Sequence, residues 1–319
     1  MLFKTIALFA LGLLLLIKGG DWFVDGATGL AHRLRVPEIL IGATVVSIGT
    51  TLPEVMVSAS SALGGHGEIA YGNAIGSVIC NTALIAALTA AIRPSKVDRE
   101  TFRTPVVFFF LAAVIYSFIA YTFGAFSRLS GFLLLAVFVV YMFVTVRKAF
   151  REKTSEESQT DDTPLWKELL LLAVGAALIA FGADLLVDNG TLLAEMMGVP
   201  ESVIALTFVA LGTSLPELVT AITALVKGHS ALSLGNIVGA NLFNLVLVSG
   251  LATALSPFEL PQEKLIAGRN ASLALDIPLA LFVMALLTIP ALWKGKIRRY
   301  QGIVLLAVYA AFCVFQFAF

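Results

Sequence analysis

Gly49-Thr50-Thr51-Leu52-Pro53-Glu54 lies in the apolar run 39–63, and a near copy, Gly212-Thr213-Ser214-Leu215-Pro216-Glu217, lies in a second such run. An ionised carboxylate near a bilayer centre costs roughly 2.5 to 3.5 kcal/mol on insertion scales, so it needs a protein interior and a partner. Pro53 has no N–H for the carbonyl of Gly49 and its ring crowds that carbonyl, which predicts a broken or kinked helix at this point. Carbonyls freed at membrane depth are tolerated where they line a cavity or meet a ligand. Thr50 and Glu54 are four residues apart and share a face wherever the turn between them is helical. One copy alone fits a kinked helix with a protonated or bonded glutamate equally well. Two copies point to two halves of one buried cation site.

The surrounding composition is that of a polytopic membrane protein. Of 319 residues, 59% are hydrophobic and 13% charged, with mean hydropathy +0.94, against about 25% charged in soluble domains. The formal net charge is zero, which leaves no basic footprint for nucleic acid. Cys80 and Cys313 both lie in apolar segments and read as small buried hydrophobes.

Stretches of about 20 apolar residues predict ten spans, near 3–31, 36–63, 69–92, 103–123, 129–147, 166–193, 199–226, 232–254, 271–291 and 300–318. The first could be mistaken for a signal peptide, but its counterpart after Leu169 is internal, so it reads as a retained helix. Residues 149–164 are polar and acidic and form a linker too short to fold as a domain, separating units 1–148 and 165–319. Lys and Arg fall sixteen on one set of connections and four on the other, with Lys18 inside the first span. The richer side, which includes Arg33, Arg93, Lys96, Lys148, Lys227 and Lys296, is expected to be cytoplasmic, placing both termini outside and the linker inside. The expected location is the cytoplasmic (inner) membrane.

An ungapped offset of 163 residues places Asp21 on Asp184, Asp25 on Asp188, Glu38 on Glu201 and Glu54 on Glu217. It also places Gly72-Asn73 on Gly235-Asn236, Gly76 on Gly239 and Asn81 on Asn244. The halves read as duplicated. Five spans per half is an odd number, so the second copy enters from the opposite side. The predicted fold is an all-α integral membrane protein of ten transmembrane helices in two inverted five-helix repeats, with helices 2 and 7 broken. Inverted repeats with interrupted helices are the architecture of secondary transporters, whose sites lie near the midplane between the repeats. A two-fold axis in the membrane plane would bring Glu54 and Glu217 together.

The donors are all oxygens: two carboxylates, the hydroxyls of Thr50, Thr51, Thr213, Ser214 and Ser77, the carboxamides of Asn81 and Asn244, and freed carbonyls. Hard cations take such ligands, Ca2+ about six to eight of them in flexible geometry. No histidine or cysteine set favours a softer metal. Two negative charges balance one Ca2+ or two Na+, and competition for them is a physical basis for exchange. Gly72, Gly76, Gly235 and Gly239 form small-residue steps that let helices approach closely.

GTTLPE with GNAIGSVICN, and GTSLPE with GNIVGANLFN, resemble the two alpha-repeats of the cation/calcium antiporter superfamily, in its prokaryotic calcium/sodium branch. The resemblance implies a core of spans two, three, seven and eight, with spans one and six as a sliding gate. It implies that Glu54 and Glu217 bind Ca2+ with oxygens of Thr50 and Thr213. By the same resemblance, Na+ would be held by the carbonyls of Ser47 and Ala210, and by Thr51, Ser214, Ser77, Asn81 and Asn244. Some relatives, including potassium-dependent ones, carry aspartate where this chain has Asn244 and serine where it has Ala240, which argues against potassium co-transport. The implied function is Ca2+/Na+ antiport by alternating access, with no cofactor, no catalytic residue and no partner beyond the ions and the bilayer. Oligomeric state is left open, one chain being sufficient for transport. Proton/calcium antiport on the same fold is the alternative, and an intramembrane hydrolase using the two glutamates or a passive channel are rivals. Asp21, Asp25, Asp184 and Asp188 read as interfacial, as does Asp276; His66 and His229 read as turn residues on opposite sides.

Overall fold

A computed structural model describes residues 2–151, 164–196, 212–262, 265–266 and 268–318. Its helices are α1 (Leu2–Leu34), α2 (Glu38–Leu63), α3 (Gly67–Ile92), α4 (Arg99–Phe123), α5 (Arg128–Arg151), α6 (Leu165–Met196), α7 (Leu215–Lys227), α8 (Ser230–Leu255), α9 (Ser272–Lys294) and α10 (Arg299–Ala318). Among the described residues, nine of these are long and apolar enough to cross a membrane. The exception is α7, which has 13 residues; the start of the predicted span 199–226 lies outside the described residues. Most of linker 149–164 lies outside them too.

Burial sorts the helices. In α8, 83% of the apolar window is buried, against 17% in α10, so α8 is central and α10 turns residues such as Ile303 and Val314 outward. In a membrane such surface faces lipid, where helices associate through close packing. Glycines supply that closeness. A Cβ on Gly12 would lie 2.9 Å from the carbonyl oxygen of Gly182, and one on Gly19 would lie 2.9 Å from that of Gly175. The pairing runs in opposite directions along the two chains, so α1 and α6 lie antiparallel with their backbones in contact.

Contacts recur in pairs. Under the 163-residue offset the Gly12·Gly182 contact becomes Gly175·Gly19, and both exist. Gly131, fourth residue of α5, abuts Gly250 and Ala254 of α8, while Gly302, fourth residue of α10, abuts Ala87 and Ala91 of α3. On one face Ala125–Phe126 (β1) pairs antiparallel with Phe258–Glu259 (β2); on the other, Lys96 bridges Lys296 in the same sense. Each half therefore grips the other at both ends.

One expectation needs correction. Helix 2 is not broken at Pro53: the α-helix runs Ser47–Leu63 through it, preceded by a π-helical turn at Gly42–Val46. The wide π turn lies just upstream of the proline, where it can take up the change in register. The other copy does interrupt, because Thr213 and Ser214 form a turn and helix α7 starts at Leu215. There Pro216 falls in the first helical turn, where its missing N–H costs nothing. The contacts of the glycine steps are described in one half only. Gly235 and Gly239 abut the backbone of α2 at Ile39 and Ala43, whereas Gly72 and Gly76 meet no described atom within 4 Å. The positions that the offset would set against them, 202 and 206, lie outside the described residues.

Candidate cation site

The site is built where α2, α3, α7 and α8 meet. Glu54 projects from the turn after Pro53, and Glu217 from the first turn of α7; both are fully buried. Thr51 reaches across the halves, its hydroxyl 3.5 Å from Glu217 Oε1. Thr50 donates to Asn236 Oδ1 at 3.1 Å, and Thr213 donates to Asn73 Oδ1 at 3.2 Å. These two bonds are counterparts under the 163-residue offset.

Asn81 and Asn244 open π-helical turns in corresponding places, Asn81–Ala86 in α3 and Asn244–Val248 in α8. The first packs against α7 and the second against α2. Such turns widen a helix for one residue and recur at functional sites. Asn241 Nδ2, at 2.7 Å from Thr82 Oγ1, ties α8 to α3 beside them.

Many buried polar atoms here have no hydrogen-bond partner. Both carboxylate oxygens of Glu54, Oε2 of Glu217, Oγ of Ser214 and both side-chain polar atoms of Asn81 and Asn244 are in this condition. Each such group costs about 1–3 kcal/mol if left unsatisfied, more if charged. A cation that accepts electron pairs from the oxygens would relieve the cost. The unpartnered oxygens thus fit the hard-cation reading, and among the described residues no cluster of three or more His, Cys, Asp or Glu offers a different metal chemistry.

The remaining predicted ligands are placed as follows. Ser77 is buried in α3. Ser47 is fully buried, but its hydroxyl lies 2.8 Å from the carbonyl oxygen of Gly42 and 3.0 Å from that of Asn236, so it stitches the π turn of α2 to α8. Ala210 lies outside the described residues. Phe23, Gly49, Thr50, Pro53, Ala176, Ile179, Ala180 and Pro216 line a narrow cleft between the α1–α6 pair and the core, beside Thr50.

Asn73 and Asn236 were quoted in the sequence only as part of the repeat, and the structure puts them on the threonines of the site. The aspartates of α1 also gain a definite role: Lys227 Nζ lies 2.7 Å from Asp25 Oδ1 and 3.5 Å from Asp21 Oδ1. His229 Nδ1 lies 2.7 Å from Glu38 Oε1, tying the turn before α8 to the start of α2.

The sodium/calcium exchanger protein family model matches residues 4–147 and 167–318, one stretch in each half. The chain belongs to this exchanger family. The exchanger is 36% identical over 306 residues to inner membrane protein YrbG of Escherichia coli (strain K12), covering 93% of this chain and 91% of that one. It is 30% identical over 346 residues to sodium/calcium exchanger MaX1 of Methanosarcina acetivorans, covering 96% of this chain and 97% of that one. It superposes on the structure of the sodium-calcium exchanger NCX_Mj soaked with 10 mM Na+ and 10 mM Sr2+ with a TM-score of 0.82 at 32% identity, over 98% of both chains. Membership makes the exchanger a multi-pass membrane transporter and not an enzyme, which removes the hydrolase reading.

Proposed function

We propose that the protein is a secondary antiporter that exchanges Ca2+ for Na+ across the cytoplasmic membrane by alternating access at a site near the midplane. The observation that carries this reading is the set of partnerless buried oxygens around Glu54 and Glu217, in a chain of the exchanger family. Glu54, Glu217, Thr50 and Thr213 are the proposed Ca2+ ligands. Ser47, Ala210, Thr51, Ser214, Ser77, Asn81 and Asn244 are proposed to serve Na+. With Asn244 in place of an acid, the site holds two carboxylates: one Ca2+ neutralises them, and a third Na+ would leave a positive charge.

The paired contacts support ten helices in two inverted repeats, 1–148 and 165–319, joined by 149–164. Gly12·Gly182 with Gly175·Gly19, and Thr50·Asn236 with Thr213·Asn73, are what a two-fold axis in the membrane plane produces. The grouping of Arg93 against Leu225, Lys227 against α1, and Lys96 against Lys296 on one face supports the charge-based orientation with that face cytoplasmic. The closely packed α1–α6 pair, flanked by the cleft at Thr50, fits a gate that slides against the core.

Uptake of radioactive Ca2+ into proteoliposomes tests the reading. An outward Na+ gradient drives uptake and an equal proton gradient does not. Uptake driven by protons alone would assign proton/calcium exchange, and flux indifferent to both gradients would assign a channel.

A further inference from the structure

Two residues outside the predicted ligand set, Asn73 and Asn236, have side chains that bear on how the site's hydroxyls face. Asn73 is the clearer. Its Nδ2 lies 2.9 Å from Ser58 Oγ and 3.2 Å from the main-chain oxygen of Glu54. A carbonyl can only accept, so the amide group must point its N–H bonds there. Its Oδ1 is thereby turned to Thr213, whose hydroxyl must supply the proton of their 3.2 Å bond. From the opposite half, Asn236 Oδ1 accepts from Thr50 at 3.1 Å, and that hydroxyl also lies within reach of Glu217, so the two acceptors compete for its proton. The copy is incomplete, since Ala221 stands where the offset would require the counterpart of Ser58, and Asn236 Nδ2 is buried without a partner.

A hydroxyl has one proton and two lone pairs, and it rotates freely unless something holds the proton. A cation needs a lone pair. Beside two buried carboxylates, a free hydroxyl would turn its proton to a carboxylate oxygen, occupying one ligand and withdrawing another. We infer that Asn73 and Asn236 are positioning residues that hold the hydroxyl protons of Thr213 and Thr50 away from the carboxylates, each across the halves, so that both threonines present lone pairs to the cation. This rests on the cation-site reading above. Ser58 and the carbonyl of Glu54 fix the Asn73 amide in turn, which makes the position of Thr213 depend on the backbone that carries Glu54.

The inference specifies which residues are coupled, and double-mutant cycles read that. Ca2+ and Na+ affinities are taken from the shift in melting temperature of purified full-length protein titrated with each ion, and the melting temperature without ions shows which variants fold. Asn236→Leu is expected to weaken Ca2+ binding about 10- to 100-fold, as loss of an orienting partner does at metal sites. The same change should cost nearly the same in Thr50→Ser, which keeps the hydroxyl, and nearly nothing in Thr50→Val, which lacks it. Asn73→Leu should couple to Thr213→Val in the same way and not to Thr50→Val. Penalties for Asn236→Leu that are unchanged by Thr50→Val, in protein that responds normally to Ca2+, would overturn the inference alone. Wild-type protein shifted by neither ion would overturn the cation-site reading and this inference with it.

Discussion

Glu217→Gln separates the site's two energetic roles. In the protein without ions, Glu54 and Glu217 are both fully buried, and three of their four carboxylate oxygens have no hydrogen-bond partner. Burying two carboxylates without partners is a cost to folding, and the glutamine removes one of them, so the ion-free variant should melt higher than wild type. With Ca2+ the sign reverses, because the cation loses one of its two counter-charges. Stripping one partner from a buried ion pair costs about 3–5 kcal/mol, which corresponds to a Ca2+ affinity lower by roughly two to four powers of ten. At Ca2+ concentrations about 100 times the wild-type Kd, binding stabilises wild type by about 2.7 kcal/mol, and an affinity loss of even about 160-fold cuts that below about 0.3 kcal/mol. A single remaining carboxylate still balances one Na+, so the response to Na+ should fall less. The assay is thermal melting of detergent-purified protein with and without each ion, beside uptake in proteoliposomes, where the variant is expected to be inactive. A Ca2+ shift in Glu217→Gln equal to that of wild type, or undiminished uptake, would refute the shared two-carboxylate site.

Three further outcomes follow from local geometry. Gly235→Ala puts a Cβ 2.2 Å from the carbonyl oxygen of Ile39, so α2 and α8 must separate; a loss of about 1–3 kcal/mol is expected, read as a lower melting temperature. Lys227→Met removes ion pairs whose side chains are 26% exposed for the lysine and 53% for Asp25, so it should cost only about 0.2–1 kcal/mol. Exchange should persist at a rate within about fivefold of wild type, and an inactive but folded variant would mean that the lysine serves the ions directly. Ala221→Ser offers Asn236 Nδ2 the acceptor that Ser58 gives Asn73, and should raise stability by about 0.5–1.5 kcal/mol; a lower melting temperature would show that the position has no room.

Much of this was legible in the chain because lipid makes polar residues conspicuous. Glu54, Glu217, Asn81 and Asn244 stand out in apolar runs, and a fixed offset joins them, so the candidate site's composition is readable before its geometry. The pairing of Thr50 with Asn236 and Thr213 with Asn73 could not, since it depends on how the halves face each other and leaves no period in either. Asp21 and Asp25 read as interfacial, yet the lysine that meets them is Lys227, 202 residues from Asp25. Pro53 was misread for a different reason. A proline's local cost predicts a break, but whether the helix breaks depends on what packs around it.

The two copies of the hexapeptide make that dependence plain. They differ at one residue, Thr51 against Ser214, yet one is an uninterrupted helix and the other a helix start preceded by a turn. The hexapeptides barely differ, and their surroundings do: Gly49 lies against the ring of Phe23 on α1, and Gly212 against Val187 on α6. Each copy's conformation is thus tied to its own member of the α1–α6 pair. Under the inverted-repeat reading, a shift of that pair relative to the core would change both contacts together. The copy that is helical and the copy that is turned could then exchange roles, with Glu54 and Glu217 kept in the same buried site. Two nearly identical sequences in unlike conformations fit the two-state carrier proposed above, in which neither conformation is strongly preferred by the hexapeptide itself.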